Sequence, residues 1–259
     1  MKIGVCIKQV PDTGAKIKIN SDGKGVSEEG VKFVISPYDE FAIEEAIRLK
    51  EKGTASEVIA ITVGVKRTTE ALRSALALGC DKAIHIDSES TTLDHLAVAS
   101  LLSEVIKKHE IQLVFLGRNA ADDDSAQVGP MLAELLQLPQ VTGVSKLTIE
   151  DRNIVAERDI EGGAKQIWSC ELPAVITTNK GLNEPRYASL KGIMQAKNKP
   201  LETISLGSLG VSSEILEPKV QLDHFELPKE RSAGKIFKDD TQNAVAKVVQ
   251  LLRQEAKVI

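Results

Sequence analysis

Short β-branched runs alternate with longer stretches of helical period through the first half of the chain, a pattern that predicts βαβ units and a parallel sheet. Strands are expected at residues 2–9, 31–35, 57–63, 82–86 and 111–116. After the second of these, Ser36 stands as an N-cap before Pro37 at the first helical position. Asp39 and Glu40 follow where the helix dipole is positive, and Gly53 ends the helix. Phe41, Ala42, Ala46, Ile47 and Leu49 form its apolar face. A second helix is expected over 68–78, stopped by Gly79, and a third over about 93–109 with Thr92 as its cap.

Beyond Val141 the pattern changes to polar alternation. Residues 146–150, 154–159 and 166–170 read as strands, with a turn at Glu161-Gly162-Gly163, and the apolar run 174–178 reads as one more. All four extend the same sheet in antiparallel or mixed fashion. From 181 to 240 the chain is expected to be irregular, because Pro185, Pro200, Pro218 and Pro228 forbid long helices. So long an extended stretch in a compact protein lies on something. A terminal helix follows Thr241 with Ala244, Val245, Val248, Leu251 and Leu252 on one face, suited either to clasping a partner or to packing back on the sheet. The fold class is α/β, a doubly wound, mostly parallel, Rossmann-like sheet with an extended C-terminal arm and a terminal helix.

Composition narrows the function. A chain of 259 residues, 42% hydrophobic, can bury a full core. Its net charge of −4 comes from intermixed acids and bases, so no basic stripe exists for a phosphate backbone and nucleic acid is excluded as an expected partner. Cys6, Cys80 and Cys170 are odd in number and widely spaced, as reduced core or site-lining residues are, and form neither a disulfide framework nor a metal site. The chain runs into a strand from Lys2 with no signal or transit pattern and no span of membrane-crossing length. It is expected to be soluble, without membrane insertion, and cytoplasmic; a mature eukaryotic form would reside in the mitochondrial matrix.

None of the motifs G-x-S-x-G, H-E-x-x-H, G-x-x-x-x-G-K-[ST] or G-x-G-x-x-G occurs. His85, His95, His109 and His224 are isolated and read as core or solvent-facing residues. What remains is a set of loops at the carboxyl ends of the expected parallel strands, where open α/β sheets bind ligands. They are 9–13, 36–39, Val63-Gly64 and 117–129. A helix expected to begin near Ser125 offers free N–H groups to an anion, with Ser125, Gln127 and the Gly129 backbone placed to cradle a phosphate. Asp122, Asp123 and Asp124 would repel that phosphate, so they are expected to cap the helix, accept ribose hydroxyls or order the loop through Arg118; a solvated acidic loop is the plain alternative. The residues thus describe a mononucleotide-binding domain without visible chemistry. An adenine-nucleotide enzyme or sensor would need a base or a metal in the crevice, and the sequence offers neither.

One segment is more specific than any of these. Leu182-Asn183-Glu184-Pro185-Arg186-Tyr187-Ala188-Ser189-Leu190, continuing to Ile193-Met194, resembles the electron-transfer flavoprotein β subunit family. The resemblance extends through 156–177, with Trp168 where an aliphatic residue is usual, and through 6–12, 36–39 and 122–124. It implies a non-enzymatic electron carrier: an obligate heterodimer whose α subunit holds most of an FAD while this chain covers one flavin edge and binds AMP structurally. The carrier would take electrons from acyl-CoA or other flavoprotein dehydrogenases, in fatty-acid β-oxidation among other pathways, and deliver them to a quinone oxidoreductase or another acceptor. Residue by residue, AMP contacts fall on Cys6, on Ser36, Pro37, Tyr38 and Asp39, on Val63, and on Gly117, Arg118, Asn119, Ala120, Ala121, Asp122, Asp123, Asp124, Ser125, Ala126, Gln127 and Val128. Thr13 falls near the flavin, where members serving fatty-acid oxidation often carry tyrosine. Thr13 and Ala126-Gln127-Val128 resemble electron-bifurcating members, in which a second FAD replaces AMP, whereas Asp123 and the complete Asn-Glu-Pro-Arg-Tyr loop resemble the others. The resemblance also divides the chain into 1–180 for nucleotide binding, 181–200 as a partner-recognition loop and helix, and 201–259 as an arm and helix contacting the α subunit. In the recognition loop, Pro185 stiffens the entrance, Glu184 is a partner-binding residue, Arg186 and Tyr187 brace the loop, and Leu190 is the docking tip. The plain alternative for Leu190 is a core residue.

Overall fold

A computed structural model describes residues 1–89, 92–220, 222–229, 233–238 and 240–259. Its centre is a nine-stranded sheet in the order β11-β5-β4-β1-β6-β10-β7-β8-β9. The strands are β1 (Lys2–Cys6), β4 (Glu57–Gly64), β5 (Lys82–Asp87), β6 (Leu113–Gly117), β7 (Gln140–Glu150), β8 (Asn153–Asp159), β9 (Lys165–Glu171), β10 (Ala174–Thr178) and β11 (Leu201–Ser205). Pairing is parallel from β11 to β7 and antiparallel across β7, β8 and β9. β4 shows why its apolar run is nearly continuous: Val58 and Ala60 face one core, and Ile59 and Ile61 face the other.

Helices α1 (Pro37–Glu51) and α2 (Thr69–Leu78) cover the first of these faces, with Ala42, Ile43, Ile47, Leu72 and Leu76 buried. Helices α3 (His95–Lys108) and α4 (Val128–Leu136) cover the second through Leu101, Leu102, Val105, Leu132 and Ala133. Strand order runs outward from β1 to β4 and β5, then returns to place β6 on the other side of β1. The doubly wound sheet therefore has its switch point between β1 and β6, the position at which such sheets open a crevice.

Several local expectations are corrected. The strand expected over 2–9 stops at Cys6, because the Lys8 backbone N–H is taken by Asp39 Oδ2 at 2.8 Å and the chain peels away from the sheet. It continues as β2 (Gln9–Pro11), paired antiparallel with β3 (Phe33–Ile35), so the strand expected over 31–35 belongs to a separate two-stranded ribbon. Ser36 occupies the N-cap of α1 without a side-chain capping bond. α3 is capped by Asp94, not Thr92: its Oδ1 accepts the Ala97 N–H at 2.9 Å. The strand expected from 146 begins at Gln140, since its first half pairs with β10 before its second half pairs with β8.

The 181–240 segment is less irregular than its prolines suggest. It contains α5 (Leu190–Ala196), the edge strand β11 and the short α6 (Ser213–Leu216); residues 221, 230–232 and 239 lie outside the described residues. The terminal helix α7 (Thr241–Leu251) buries none of its residues, so it does not pack back on the sheet. Val248, Leu251 and Leu252 instead line a groove of about 490 Å³ with Lys235 and Phe237 of the arm.

Candidate functional site

The crevice at the switch point is built around one buried carboxylate. Asp39, 6% exposed in the first turn of α1, accepts the Lys8 N–H through Oδ2 and the Gly117 N–H through Oδ1, both at 2.8 Å. It thereby ties the ends of β1 and β6 to the start of α1. Burial pushes its carboxyl up to about 7, against the lowering effect of the two amides and the Lys8 ammonium. Gly117 permits the approach. A Cβ there would lie 2.6 Å from Asp39 Oδ1 and 2.7 Å from Tyr38 Cβ. The Thr178 hydroxyl donates to the Tyr38 carbonyl at 3.0 Å, adding the end of β10 to the same junction.

Cys6, the last residue of β1, is 5% exposed, and burial raises its thiol well above the ordinary range, which suits a lining residue and not a nucleophile. Ser36 is fully buried, yet its Oγ has no hydrogen-bond partner. An unpaired buried hydroxyl costs on the order of 1–3 kcal/mol. Pro37 and Tyr38 are half-buried at the start of α1, and Val63 is half-buried at the end of β4. Arg118 lies with its guanidinium carbon 5.2 Å from the Tyr38 ring centroid.

The acidic loop is ordered differently from expectation. Its organising cation is Lys8, whose Nζ reaches Asp122 Oδ1 and Asp123 Oδ2, each at 2.9 Å; the Arg118 side chain instead donates to its neighbour, Asn119 Oδ1, at 2.8 Å. Although burial acts to lower the Lys8 ammonium, the two carboxylates hold it above its usual range. Asp123 is held well below the carboxylate range by Lys8, the Ser125 N–H and His95, which outweigh its burial. Asp124 accepts from the buried Asn119 amide. None of the three caps a helix. α4 begins at Val128, three residues later than expected, behind Gln127. Asp124 and Ala126 both adopt φ of 54°, a left-handed conformation that an alanine holds at a cost and that clusters at ligand sites. Ala120 is half-buried, Ala121 is exposed, and Ser125 and Val128 line the loop half-buried.

Two further residues, Lys8 and His95, join the loop through space. Lys8 was hidden because its partners lie 114 and 115 positions away. His95, isolated along the chain, sits with Nε2 3.1 Å from Asp123 Oδ2 and 3.0 Å from Ser125 Oγ. No spacing rule links residues that only the fold brings together. Gly129 also changes role: a Cβ on it would meet Thr177 Cγ2 at 2.5 Å, so this glycine serves helix-to-strand packing.

Of the residues expected near the flavin and at the docking loop, Thr13 is exposed in the turn after β2. Leu190 is the first residue of α5 and 83% exposed, which rules out a core role. Ser189 caps that helix, accepting the Gly192 N–H at 3.0 Å. Arg186 is fixed to Glu44 and Glu51 of α1, whereas Tyr187, expected to brace the loop, stands 97% exposed. Glu184 is exposed and Pro185 half-buried.

The crevice residues offer an orphaned hydroxyl at Ser36, first-turn N–H groups of α4 and a preformed loop, with no group of three metal-ligating side chains among the described residues. No helix of the described residues is long and apolar enough to cross a membrane.

Comparison with known proteins adds an independent line. A family model described as the electron transfer flavoprotein domain matches residues 24–209. The chain is 42% identical over 261 residues to electron transfer flavoprotein subunit beta of Bacillus subtilis (strain 168), covering 100% of both chains. It is 41% identical to the proteins of the same name from Mus musculus (96% of this chain, 97% of the other) and Homo sapiens (98% of each).

Proposed function

The chain belongs to the electron transfer flavoprotein family, as a subunit that carries electrons and is not an enzyme, and from that premise we propose that its switch-point crevice holds AMP as a structural ligand. In the assembled protein an α subunit holds most of the FAD, and this chain closes one edge of the site. Electrons reach that flavin from acyl-CoA or other flavoprotein dehydrogenases and leave to a quinone oxidoreductase or a comparable acceptor.

The observation that carries the nucleotide assignment is the buried, unpaired Ser36 hydroxyl beside the Asp39 junction. The surrounding residues give the ligand three kinds of contact. The Ser36 hydroxyl and loop backbone donate, the Asp122–Asp124 carboxylates offer acceptors for ribose hydroxyls, and the N-terminal end of α4 supports the phosphate. Bound flavin supplies the one-electron chemistry. This chain contributes no acid, base or nucleophile to it; the residues named here bind, orient and exclude water. The docking function falls to the 182–190 loop, with exposed Leu190 as the apolar tip that enters a pocket on the dehydrogenase.

The test is a thermal shift of the isolated chain, stripped of nucleotide under mild denaturation and refolded. A ligand bound only to the native state stabilises it by about 2.7 kcal/mol at a hundredfold excess over Kd, so AMP should raise Tm in a concentration-dependent way while cytidine monophosphate does not. Equal response to both nucleotides, or to neither, contradicts the assignment.

A further inference from the structure

The docking loop has no regular secondary structure between β10 and α5, yet its entrance is bonded along one helix, α1. Resting on the docking role assigned above to 182–190, we propose that Glu44 of α1 is a positioning residue for partner docking, acting through Arg186 to fix the pose in which Leu190 is presented.

Glu44 has a side chain only 3% exposed, in the interior of α1. A carboxylate so buried is costly unless it is paired and hydrogen-bonded. Here both oxygens are saturated. Oε2 accepts the Arg186 Nε–H at 2.8 Å and the Arg186 backbone N–H at 3.2 Å; Oε1 accepts Arg186 Nη2 at 3.1 Å and Arg48 Nε at 2.7 Å. Two parallel bonds from one guanidinium to one carboxylate, plus a bond from the same residue's backbone, set direction as well as distance. The outer edge of the Arg186 fork reaches Glu51 at 2.6 and 3.0 Å, two turns further along the same face. Upstream, Asn183 Nδ2 donates to the Phe41 carbonyl and to Glu45 Oε2, both at 3.0 Å. The loop is thus strapped along α1, the helix whose first turn forms the nucleotide crevice.

The far side of the loop is held as tightly. A Cβ on Gly192 would lie 2.3 Å from the Ala77 carbonyl oxygen, so α5 rests backbone to backbone on α2. Arg73 of α2 donates to the Ala196 and Lys199 carbonyls at 2.7 and 3.1 Å, and Lys199 returns bonds to the Leu76 and Cys80 carbonyls at 2.9 and 2.6 Å. Leu190 lies between two fixed ends. The α2 end rests on cations bonded to carbonyls, whereas the α1 end rests on a guanidinium paired with carboxylates. Against its burial, Arg186 and Arg48 hold the Glu44 carboxyl below its ordinary range, so the fork stays ionised at neutral and mildly acidic pH. A knob already held in its binding pose loses less freedom when it docks.

The experiment is a double-mutant cycle in the assembled heterodimer, measured by coupling to an acyl-CoA dehydrogenase. Glu44→Gln keeps the shape and removes the charge; it should raise the apparent KM by about tenfold, from weakening of a charge-assisted bond, with the effect on KM and not on kcat. In the Leu190→Ala background the same change should add little, because Glu44 acts only by presenting that leucine. Amide exchange over 184–191 should accelerate in Glu44→Gln. An unchanged KM for Glu44→Gln alongside a raised KM for Leu190→Ala overturns the proposal, as does a fully additive cycle. An unchanged KM for Leu190→Ala overturns the docking reading itself. Should Glu44→Gln fail to assemble, Arg186→Lys decides in the same cycle, since lysine keeps the charge but cannot make the two-pronged contact.

Discussion

Replacing Gly117 by alanine tests the crevice where its geometry is tightest. The new Cβ would lie 2.6 Å from Asp39 Oδ1, 2.7 Å from Tyr38 Cβ and 2.8 Å from the Tyr38 carbonyl carbon. Two of these atoms are side-chain atoms close to the backbone, and the third is backbone in the first turn of α1, so none can swing away as the end of a long side chain would. The start of α1 has to move off β6, which breaks the 2.8 Å bond between the Gly117 N–H and Asp39. Overpacking of this kind costs roughly 1–3 kcal/mol, and a lost bond to a buried charged acceptor about 1.5–3 kcal/mol. Both arise from one displacement and do not simply add, which leaves roughly 2–4 kcal/mol. For a chain of this size that is a fall in Tm of roughly 5–15 °C. Differential scanning calorimetry of the isolated chain measures it, with Gly207→Ala as reference, because a Cβ at Gly207 meets nothing within 4 Å and should change stability by less than about 0.5 kcal/mol. Gly117→Ala melting within a degree or two of wild type would refute the packing account of the crevice.

Asp39→Asn should destabilise the chain by roughly 1–3 kcal/mol, because an amide leaves one of the two N–H donors facing another donor. The raised Asp39 carboxyl sets the sign of the pH effect. The native state binds its proton more tightly than the unfolded chain, so wild-type stability is fullest below 3.8 and declines as pH rises toward about 7. The gap between wild type and Asp39→Asn should therefore narrow over that window in urea titrations; a gap that widens contradicts the sign. Leu190→Ala should raise the apparent KM in the dehydrogenase-coupled assay about thirtyfold, equivalent to about 2 kcal/mol, with flavin content and Tm nearly untouched. A loss of several degrees with normal coupling would return Leu190 to a structural role. The isolated chain should be colourless, and a stoichiometric yellow flavin on it would favour a second FAD in the crevice.

The sequence made the architecture legible wherever local chemistry and tertiary packing agree. α1 announces itself through Pro37 and Gly53, and β4 through an unbroken apolar run that only a strand buried on both faces supports. It failed where a distant partner overrides a local pattern. Residues 2–9 alternate like one strand, but Asp39 claims the Lys8 amide from 31 positions away and ends β1 at Cys6. β11 was invisible because Pro200 precedes it and, of its five residues, only Ile204 is buried, as befits an edge strand. The crevice was legible as a set of loops, yet its electrostatics were not. Lys8 and His95 join the acidic loop through space, and nothing in their neighbours along the chain marks them.

Denaturing extraction of nucleotides from the purified heterodimer, counted by chromatography against protein, addresses the central claim most directly. The crevice described here, with its unpaired Ser36 hydroxyl and the Asp39 junction, predicts one AMP and one FAD per heterodimer. Two FAD and no AMP, or FAD alone, would contradict it.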